Sequence, residues 1–420
     1  MQTELADFIR DTPAGREAEE ILRKCVHCGF CTATCPTYQL LGDELDGPRG
    51  RIYLIKQMLE GGAATEKTRL HLDRCLTCRA CETTCPSGVH YSRLLDIGRA
   101  VVETRAPRHG MDALMRSTLK HFLPRPRLFN PAMRLGQALR PLLPAALRAK
   151  VPAVRDAGAW PAPRHSRKMV VLAGCVQPAM APGINAAAAR VLDRIGISLH
   201  VAPRAGCCGA LRFHLNDVEA ARDDARRNID VWWPLLEDGC EAVVMTASGC
   251  GVQVRDYAHL LQEDARYAVK AARVALLTRD IGEVVAAEGA SLAPLLAEAD
   301  AQRPRTKLAF HAPCTLQHGL KIRGTVEALL GAVFDLVPVA DAHLCCGSAG
   351  TYSVLQPEIS TRLRDNKLAA LGAAQRPAGS PLGGPLGIAS ANIGCITHLQ
   401  SGTQLPVRHW IEYIDERLNT

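Results

Sequence analysis

Two cysteine runs with the same spacing constrain this chain more than any other feature. Each run reads Cys-x2-Cys-x2-Cys-x3-Cys-Pro, the first over Cys25–Pro36 and the second over Cys75–Pro86. Thiolates are soft ligands that suit iron–sulfur clusters, zinc or Cu(I), so the spacing must decide among these metals. Structural zinc usually takes four ligands from two separated Cys-x2-Cys pairs. Here three thiols converge in one short turn and a fourth, followed by proline, points elsewhere, which favours iron–sulfur clusters.

The doubled run resembles the pattern of bacterial two-cluster ferredoxins. In that pattern the first three cysteines of a run hold one cluster, and the fourth ligates the other cluster. The resemblance implies two 4Fe-4S clusters with interleaved ligands. One set would be Cys25, Cys28, Cys31 and Cys85, and the other Cys75, Cys78, Cys81 and Cys35. Two zinc sites or reduced structural thiols are the alternatives, but neither explains the doubled spacing or both prolines.

Length and composition indicate several domains in a reducing compartment. The chain has 420 residues, 47% of them hydrophobic, enough for two to four separate cores. Seventeen cysteines in a secreted protein would suggest disulfides, but the first ten residues lack a basic start followed by an apolar run. No stretch approaches the roughly 20 apolar residues that a spanning helix needs. We therefore expect a cytoplasmic protein, soluble or peripheral on the inner face of the cytoplasmic membrane.

Residues 1–106 are predicted to form a mainly α-helical domain around the two runs. We expect one helix over 1–24 with Ile21 and Leu22 buried, a helix that ends before Gly61–Gly62, and another over 65–74. This arrangement resembles the helical ferredoxin domain of iron–sulfur subunits in respiratory complexes and heterodisulfide reductase. Four arginines near the runs either offset negative cluster charge or are ordinary solvated side chains: Arg49, Arg51, Arg74 and Arg79.

Residues 107–167 form a basic helical linker in this interpretation. From Pro107 to Lys168 there are thirteen Lys or Arg and two acids, Asp112 and Asp156, so the segment carries +11. Basic amphipathic helices can lie on anionic lipid, gaining about 1 kcal/mol per basic residue near the surface. Packing on the same chain or on a partner subunit explains the composition equally well. No other feature fits nucleic acid, so we expect no nucleic-acid partner.

The remainder of the chain is an internal repeat, with one α/β domain over 168–300 and a second over 301–420. Each copy opens with a strand-like run that ends in a cysteine, Cys175 or Cys314. A Cys-Cys-Gly follows 32 residues later in the first copy and 31 residues later in the second. Strands that alternate with helices predict parallel sheets, whose ligands gather at the carboxyl ends of the strands. The predicted fold class is therefore α+β, a helical two-cluster domain followed by tandem α/β domains.

Each repeat offers four thiols near those strand ends. They are Cys175, Cys207, Cys208 and Cys250 in the first copy, and Cys314, Cys345, Cys346 and Cys395 in the second. These motifs resemble the cysteine-rich CCG domain of the heterodisulfide reductase catalytic subunit and of the iron–sulfur subunits of glycolate oxidase, anaerobic glycerol-3-phosphate dehydrogenase and lactate utilisation systems. The cluster-binding form of that domain ends in Cys-x2-Cys, whereas this chain has Gln253 and His398 at the matching places.

Three interpretations of the CCG sites stay open. Four soft ligands could hold a further iron–sulfur cluster, with His398 as a possible nitrogen ligand. Adjacent cysteines could instead be redox thiols or part of a docking surface, and zinc is the third choice. His311, His318 and His343 flank the second copy's cysteines, and we expect backbone carbonyls to satisfy them. Cys240 matches no repeat position and is predicted to be a buried hydrophobic thiol.

The resemblance implies an electron-transfer subunit with no catalytic residue of its own. The sequence contains neither a Gly-x-Gly-x2-Gly after a strand nor a P-loop, so a partner must supply the two-electron cofactor. The resemblance to glycolate oxidase (glycolate dehydrogenase) iron–sulfur subunits implies FAD-binding partner subunits that oxidise glycolate to glyoxylate, and a membrane quinone as acceptor. A heterodisulfide reductase-like catalytic subunit, or the equivalent subunit for lactate or glycerol 3-phosphate, is the alternative.

Overall fold

The computed structural model describes residues 1–144, 148, 151–372 and 384–419. Over these residues the chain divides into two compact units. The first comprises Met1–Ser117 and His343–Lys367, and the second comprises Thr118–Ala342 and Leu368–Thr420. The first unit thus combines the two cysteine runs with the segment that contains Cys345 and Cys346. The predicted domain boundaries stay predictions.

The N-terminal part of the first unit is helical. Its helices are α1 (Asp7–Arg10), α2 (Pro13–Lys24), α3 (Pro36–Leu41), α4 (Pro48–Leu59), α5 (Glu66–Asp73), α6 (Ala80–Thr84) and α7 (Tyr91–Arg105). The single helix expected over 1–24 is wrong. Pro13 starts a new helix, and the Thr12 hydroxyl caps it by accepting a hydrogen bond from the Gly15 amide at 3.0 Å. The helices predicted before Gly61 and after Thr65 are confirmed as α4 and α5.

Helices α2, α4, α5 and α7 enclose the core of this helical part. Fully buried side chains include Leu22, Ile55, Leu72 and Leu94. Helix α7 approaches α4 closely at Gly98, where an added Cβ would lie 2.7 Å from Ile55 Cγ1. This packing fixes the helices that carry the cysteine runs.

The basic segment contains α8 (Gly110–Phe122) and α9 (Pro126–Ala138). Phe129 is buried on α9, and the Gln137 amide donates a hydrogen bond to the Ala179 carbonyl at 3.0 Å. The opposite side of α9 exposes Leu128 and Leu135. Helix α9 is thus held by one face and presents apolar side chains on another.

The first α/β copy forms a four-stranded parallel sheet in the order β2-β1-β3-β4. Its strands are β1 (Arg167–Val171), β2 (Ile197–Val201), β3 (Val243–Met245) and β4 (Thr278–Asp280). Its helices are α10 (Gln177–Met180), α11 (Gly183–Arg194), α12 (Ala210–His214), α13 (Val218–Glu237), α14 (Ser248–Arg255), α15 (Tyr257–Leu260), α16 (Ala268–Leu277), α17 (Ile281–Ala287) and α18 (Gly289–Gln302). Central strand β1 pairs with β2 in register from Arg167 opposite Ile197.

The second copy repeats this topology, with a parallel sheet in the order β6-β5-β7-β8. Its strands are β5 (Lys307–His311), β6 (Asp335–Leu336), β7 (Ile388–Ser390) and β8 (Val407–His409). Its sequence also forms α19 (Thr325–Gly331), α20 (Tyr352–Leu355), α21 (Pro357–Ala370), α22 (Ile393–Gln400) and α23 (Trp410–Leu418). The predicted fold class, helical followed by tandem parallel α/β copies, is confirmed.

The helices that the structure describes include none long and apolar enough to cross a membrane.

Candidate metal centres

The two cysteine runs fold into loops of the same backbone shape. His27 and Thr77 occupy matching positions and have φ of 56° and 55°. Gly29 and Arg79, two residues further on in each loop, have φ of 85° and 60°. Positive φ is uncommon for residues other than glycine, and each occurrence needs support from its surroundings. The matching φ values show that the two loops have the same backbone conformation at equivalent positions.

Four thiols from both runs surround a first cavity. Its walls include Cys25, Cys28 and Cys31 from the first run and Cys85 from the second. The cavity has about 440 Å³ of empty space, part of which is open to solvent. Cys81 also borders it. This grouping is the one that the interleaved assignment requires of its first ligand set.

A second cavity lies beside the first and contains the complementary set. Cys75, Cys78 and Cys81 line it together with Cys35 of the first run. Its empty space is about 360 Å³, also partly open. Two neighbouring sulfur-lined cavities fit the donor preference of 4Fe-4S clusters, which are held by four thiolates each. The ligand assignment itself stays a proposal.

Burial keeps several of these thiols protonated until metal binds. Desolvation raises the pKa of Cys31 to about 11, and nearby Cys25 adds to the effect. Desolvation also raises the pKa of Cys25 and of Cys81. Because thiolate is the ligand form, assembly of a centre must release these protons.

Buried polar groups surround the second cavity. Arg51, which the sequence left as either charge compensation or solvated, is 1% exposed and forms an ion pair with the fully buried Asp46 at 3.4 Å. Its Nη1 also donates to Thr37 Oγ1 at 3.2 Å, and that oxygen lies 3.3 Å from Cys35 Sγ. Charge compensation next to the sulfur ligands is therefore the better interpretation for Arg51.

The other arginines differ in their surroundings. Arg74 Nη1 donates to Asp46 Oδ2 at 2.8 Å, so it belongs to the same buried group. Arg49 pairs with Glu44 at 2.7 Å near the first cavity and is partly exposed. Arg79 adopts the left-handed conformation described above. Sequence reasoning missed Asp46, because a single aspartate before a helix carries no signal of its burial, and it missed Tyr91, whose hydroxyl donates to Cys75 Sγ at 3.6 Å.

The first CCG copy brings its four predicted thiols together. Neighbouring thiols in this set lie close enough to shift one another's pKa: Cys207 interacts with Cys175 and Cys208, and Cys208 also interacts with Cys250. The interactions with Cys175 and Cys208 hold the pKa of Cys207 well below its ordinary value, while the same contacts raise the pKa of Cys175 and Cys208. Four contiguous sulfurs form a donor set suited to a soft metal.

Side chains of α13 and α15 donate hydrogen bonds to the Cys-Cys-Gly backbone of the first copy. Asn228 donates to the Cys207 carbonyl at 2.8 Å, and Tyr257 donates to the Cys208 carbonyl at 2.8 Å. Gly209 has φ of 89°, and an added Cβ would lie 3.0 Å from the Ala221 carbonyl oxygen. Only glycine fits this turn without strain. Asn228 follows Cys208 by 20 residues and Asn366 follows Cys346 by the same interval, although Asn366 is exposed.

An acid lies under the first CCG site. Asp224 pairs with Arg212 at 2.8 Å and Arg227 at 2.7 Å. Burial, and then the neighbouring Cys207 thiolate, raise the pKa of Asp224 to about 6. The charge next to the four thiols is therefore determined by two arginines and one carboxyl group.

The thiols of the second CCG copy fall in different units. Cys345 and Cys346 belong to the first unit, where the Gly347 amide donates to Cys345 Sγ at 3.4 Å. Cys314 and Cys395 belong to the second unit, and both are buried. His311 Nδ1 lies 3.0 Å from Ser390 Oγ.

The remaining sequence candidates have the following places. Gln253, which replaces a fifth cysteine, is buried on α14, whereas His398 is partly buried on α22. His318 is buried and lies 3.5 Å from Arg323 Nη2. His343 belongs to the first unit with the Cys-Cys-Gly that follows it. Cys240 is buried in the core of the first copy, in agreement with its predicted role.

Family models match most of the cysteine-bearing sequence. A 4Fe-4S dicluster domain matches residues 21–89, and a cysteine-rich domain matches residues 169–255 and again 308–400. The first match contains both cysteine runs, and the other two contain the eight CCG thiols. The dicluster match supports 4Fe-4S clusters as the cofactors of the helical domain.

Curated relatives match this chain over different shares of its length. The glycolate oxidase iron–sulfur subunit of Escherichia coli (strain K12) is 53% identical over 100% of this chain and 99% of its own length. A probable glycolate oxidase iron–sulfur subunit of Bacillus subtilis (strain 168) is 29% identical over 93% of this chain and 90% of its own. Lactate utilization protein A of an Exiguobacterium species is 27% identical over 58% of this chain and 94% of its own. The chain therefore belongs to the family of glycolate oxidase iron–sulfur subunits and has an iron–sulfur electron-transfer role.

Proposed function

We propose that this chain accepts electrons from FAD-binding partner subunits that oxidise glycolate to glyoxylate. The observation that carries the proposal is the pair of adjacent cavities, each lined by four thiols from the two runs and sharing Cys81 as a common wall. Two 4Fe-4S clusters held there would supply one-electron chemistry within a single small domain. The two-electron oxidation of glycolate then belongs to a flavin on a partner, since the sequence contains no nucleotide-binding fingerprint.

The ligand sets in this proposal are the interleaved ones. Cys25, Cys28, Cys31 and Cys85 hold one centre, and Cys75, Cys78, Cys81 and Cys35 hold the other. Arg51 and Tyr91 act on the second set, because one places a positive charge among its ligands and the other donates to Cys75 Sγ. Hydrogen bonds to sulfur and nearby charge are the means by which a protein sets a cluster's reduction potential.

We further propose that electrons leave towards a membrane quinone, with the chain peripheral on the inner face of the cytoplasmic membrane. The supporting feature is the basic segment, which has no Asp or Glu between Asp112 and Asp156. On its surface, Leu135 and Leu142 are 62% and 82% exposed. Apolar side chains among basic ones suit anionic lipid.

A third proposal concerns the CCG thiols. The four contiguous sulfurs of the first copy favour a bound soft metal, either a further iron–sulfur cluster or zinc, over free redox thiols. A heterodisulfide reductase-like reaction at this site is the second candidate function. An isolated chain that reduces disulfides without a flavoprotein would favour that candidate.

The test of the main proposal is coexpression with the FAD-binding subunits under anaerobic conditions. We expect the subunits to copurify and glycolate to reduce the 4Fe-4S centres, as followed by EPR. Lactate and glycerol 3-phosphate serve as competing donors in the same assay. Turnover of glycolate by the isolated chain, or reduction only by one of the other donors, would contradict the proposal.

A further inference from the structure

The two sulfur-lined cavities of the first unit differ in how exposed their cysteines are. Among the cysteines, all of which the structure describes, only Cys28 is exposed. Three ligands of the second set, Cys35, Cys75 and Cys81, are buried. The fourth, Cys78, is partly exposed, so a redox partner that covers Cys28 meets the most exposed sulfur ligand of the two sets.

Large apolar side chains are exposed around Cys28. Val26 is 68% exposed and Phe30 is 60% exposed, and both line the first cavity. Tyr53 of α4 is 46% exposed and meets the His27 ring edge-on at 6.3 Å. We call Val26, Phe30 and Tyr53 the Cys28 patch. Contiguous exposed apolar side chains mark interaction sites on proteins.

The charges beside the Cys28 patch are paired. Lys24 forms an ion pair with Glu20 at 2.7 Å, and Arg49 forms one with Glu44 at 2.7 Å. The segment from Ile21 to Gly42 contains no acid, and its Arg23 is paired with Glu19 of α2. A nearly neutral apolar surface is suited to binding a partner protein. Anionic lipid would instead bind the basic segment around α9, which carries the positive charge.

The segment of the same unit that contains Cys345 contacts the helical domain next to the second ligand set. Tyr352 of α20 donates a hydrogen bond to the Arg74 carbonyl at 3.0 Å, next to Cys75. Tyr352 is 7% exposed, so its ring is buried at this contact. Within this unit the Cys75 side of the domain is thus covered by its own chain.

We propose that the FAD-binding partner docks on the Cys28 patch, so that electrons pass between partner and chain at Cys28, while the second centre lies on the side that the segment with Tyr352 covers. The proposal rests on the proposed function, which supplies the partner. It gives the two cysteine runs different roles, one as the contact with the partner and the other as the inner site. Val26, Phe30 and Tyr53 are contact residues and ligate nothing.

Two substitutions test the patch. Val26→Glu places a charge beside Cys28, and Tyr53→Glu does so from α4, away from the ligand loop. In the coexpressed complex, each should weaken copurification of the FAD-binding subunit, and slow cluster reduction by glycolate, about tenfold or more, since one charge in an apolar interface costs at least about 1.4 kcal/mol. Iron and sulfide content and the dithionite-reduced EPR signal should stay at wild-type values.

Val269→Glu is the matched control, because Val269 is 82% exposed on α16 in the other unit. It should leave copurification and reduction unchanged. Wild-type behaviour of both Val26→Glu and Tyr53→Glu, with glycolate still reducing the wild-type complex, would overturn the docking site alone. Failure of glycolate to reduce the wild-type complex would overturn the proposed function and the docking site with it. Loss of iron in Val26→Glu would leave Tyr53→Glu to decide.

Discussion

Arg51 and Asp46 form an ion pair inside the helical domain, with side chains that are 1% and 0% exposed and 3.4 Å apart. Asp46 also accepts from Arg74 at 2.8 Å and lies 3.0 Å from His71 Nδ1. One carboxylate therefore balances the cations that surround the second ligand set. Removing it leaves buried positive charge without a partner.

The first prediction follows from that pair. Asp46→Ala should lower the free energy of unfolding of the helical domain by about 3 kcal/mol or more, the usual effect of breaking a buried ion pair from one side. Urea unfolding followed by circular dichroism gives the value. Glu19→Ala is the control, because Glu19 pairs with Arg23 on the surface and should leave the unfolding midpoint unchanged.

The second prediction tests the interleaved ligands. Cys35→Ala should disturb the centre held by the second run and spare the one held by Cys25, Cys28 and Cys31, because Cys35 lines only the second cavity. EPR of the reduced protein distinguishes the two signals. Cys240→Ala, a buried cysteine outside every motif, should keep both. An unchanged second-run signal in Cys35→Ala would falsify the assignment.

The repeated elements could be predicted from the sequence because their cysteines and strand-like runs recur at nearly equal intervals. Equal intervals between cysteines and strand-like runs predicted two parallel sheets, and both have the same strand order. The two runs are 50 positions apart throughout, and the residues with positive φ match at the same offset, His27 with Thr77 and Gly29 with Arg79. A repeated local pattern folds to a repeated local structure.

Contacts distant in sequence were beyond such reasoning. The placement of His343–Lys367 in the unit of the ferredoxin-like helices depends on contacts such as the Tyr352 hydrogen bond to Arg74, separated by 278 positions. The burial of Arg51 was left open for the same reason, since its partners Thr37, Asp46 and His71 converge only in the folded chain. The break between α1 and α2, by contrast, had a local signal in Thr12-Pro13 that helical periodicity obscured.

A third prediction concerns pH. Burial raises the pKa of Asp280 to about 7, against an ordinary value of about 3.9. Between these values the folded chain keeps a proton that the unfolded chain has lost, so stability falls as pH rises from about 4 to 7 and then stays low. Asp280→Asn keeps an N-cap side chain and removes this loss. The stability of the variant relative to wild type should therefore rise by about 3 kcal/mol from pH 5 to pH 8, since about two pH units of the shift lie above pH 5.

Thermal unfolding of wild type and Asp280→Asn at pH 5 and at pH 8 measures this change in relative stability. Asp238→Asn provides the comparison, because Asp238 is an exposed partner of Lys168 with a lowered pKa and should show no such gain. A wild-type-minus-variant difference at Asp280 that is constant with pH would refute the buried-carboxyl explanation.

The fourth prediction addresses the first CCG site. Two 4Fe-4S clusters account for about eight irons per chain. If the four contiguous thiols hold metal, anaerobically purified protein should contain more than that number of irons, or zinc in addition, and Cys208→Ala should remove only the excess. Metal and sulfide analysis with EPR checks both parts. Wild-type protein with about eight irons and no zinc would show that these sulfurs act as free thiols.

The fifth prediction tests the membrane surface. Leu135 of α9 and Leu276 of α16 are 62% and 61% exposed, so they form a pair matched in exposure, one inside the basic segment and one outside it. Leu135→Glu should weaken binding to vesicles containing anionic lipid about tenfold, since burying one leucine contributes about 1.5–3 kcal/mol. Leu276→Glu should have no effect. Binding of the wild type should fall as salt rises, because the arginines near α9 act through screened charge. Equal losses in both variants, or no binding by the wild type, would assign the basic segment to a protein partner instead of lipid.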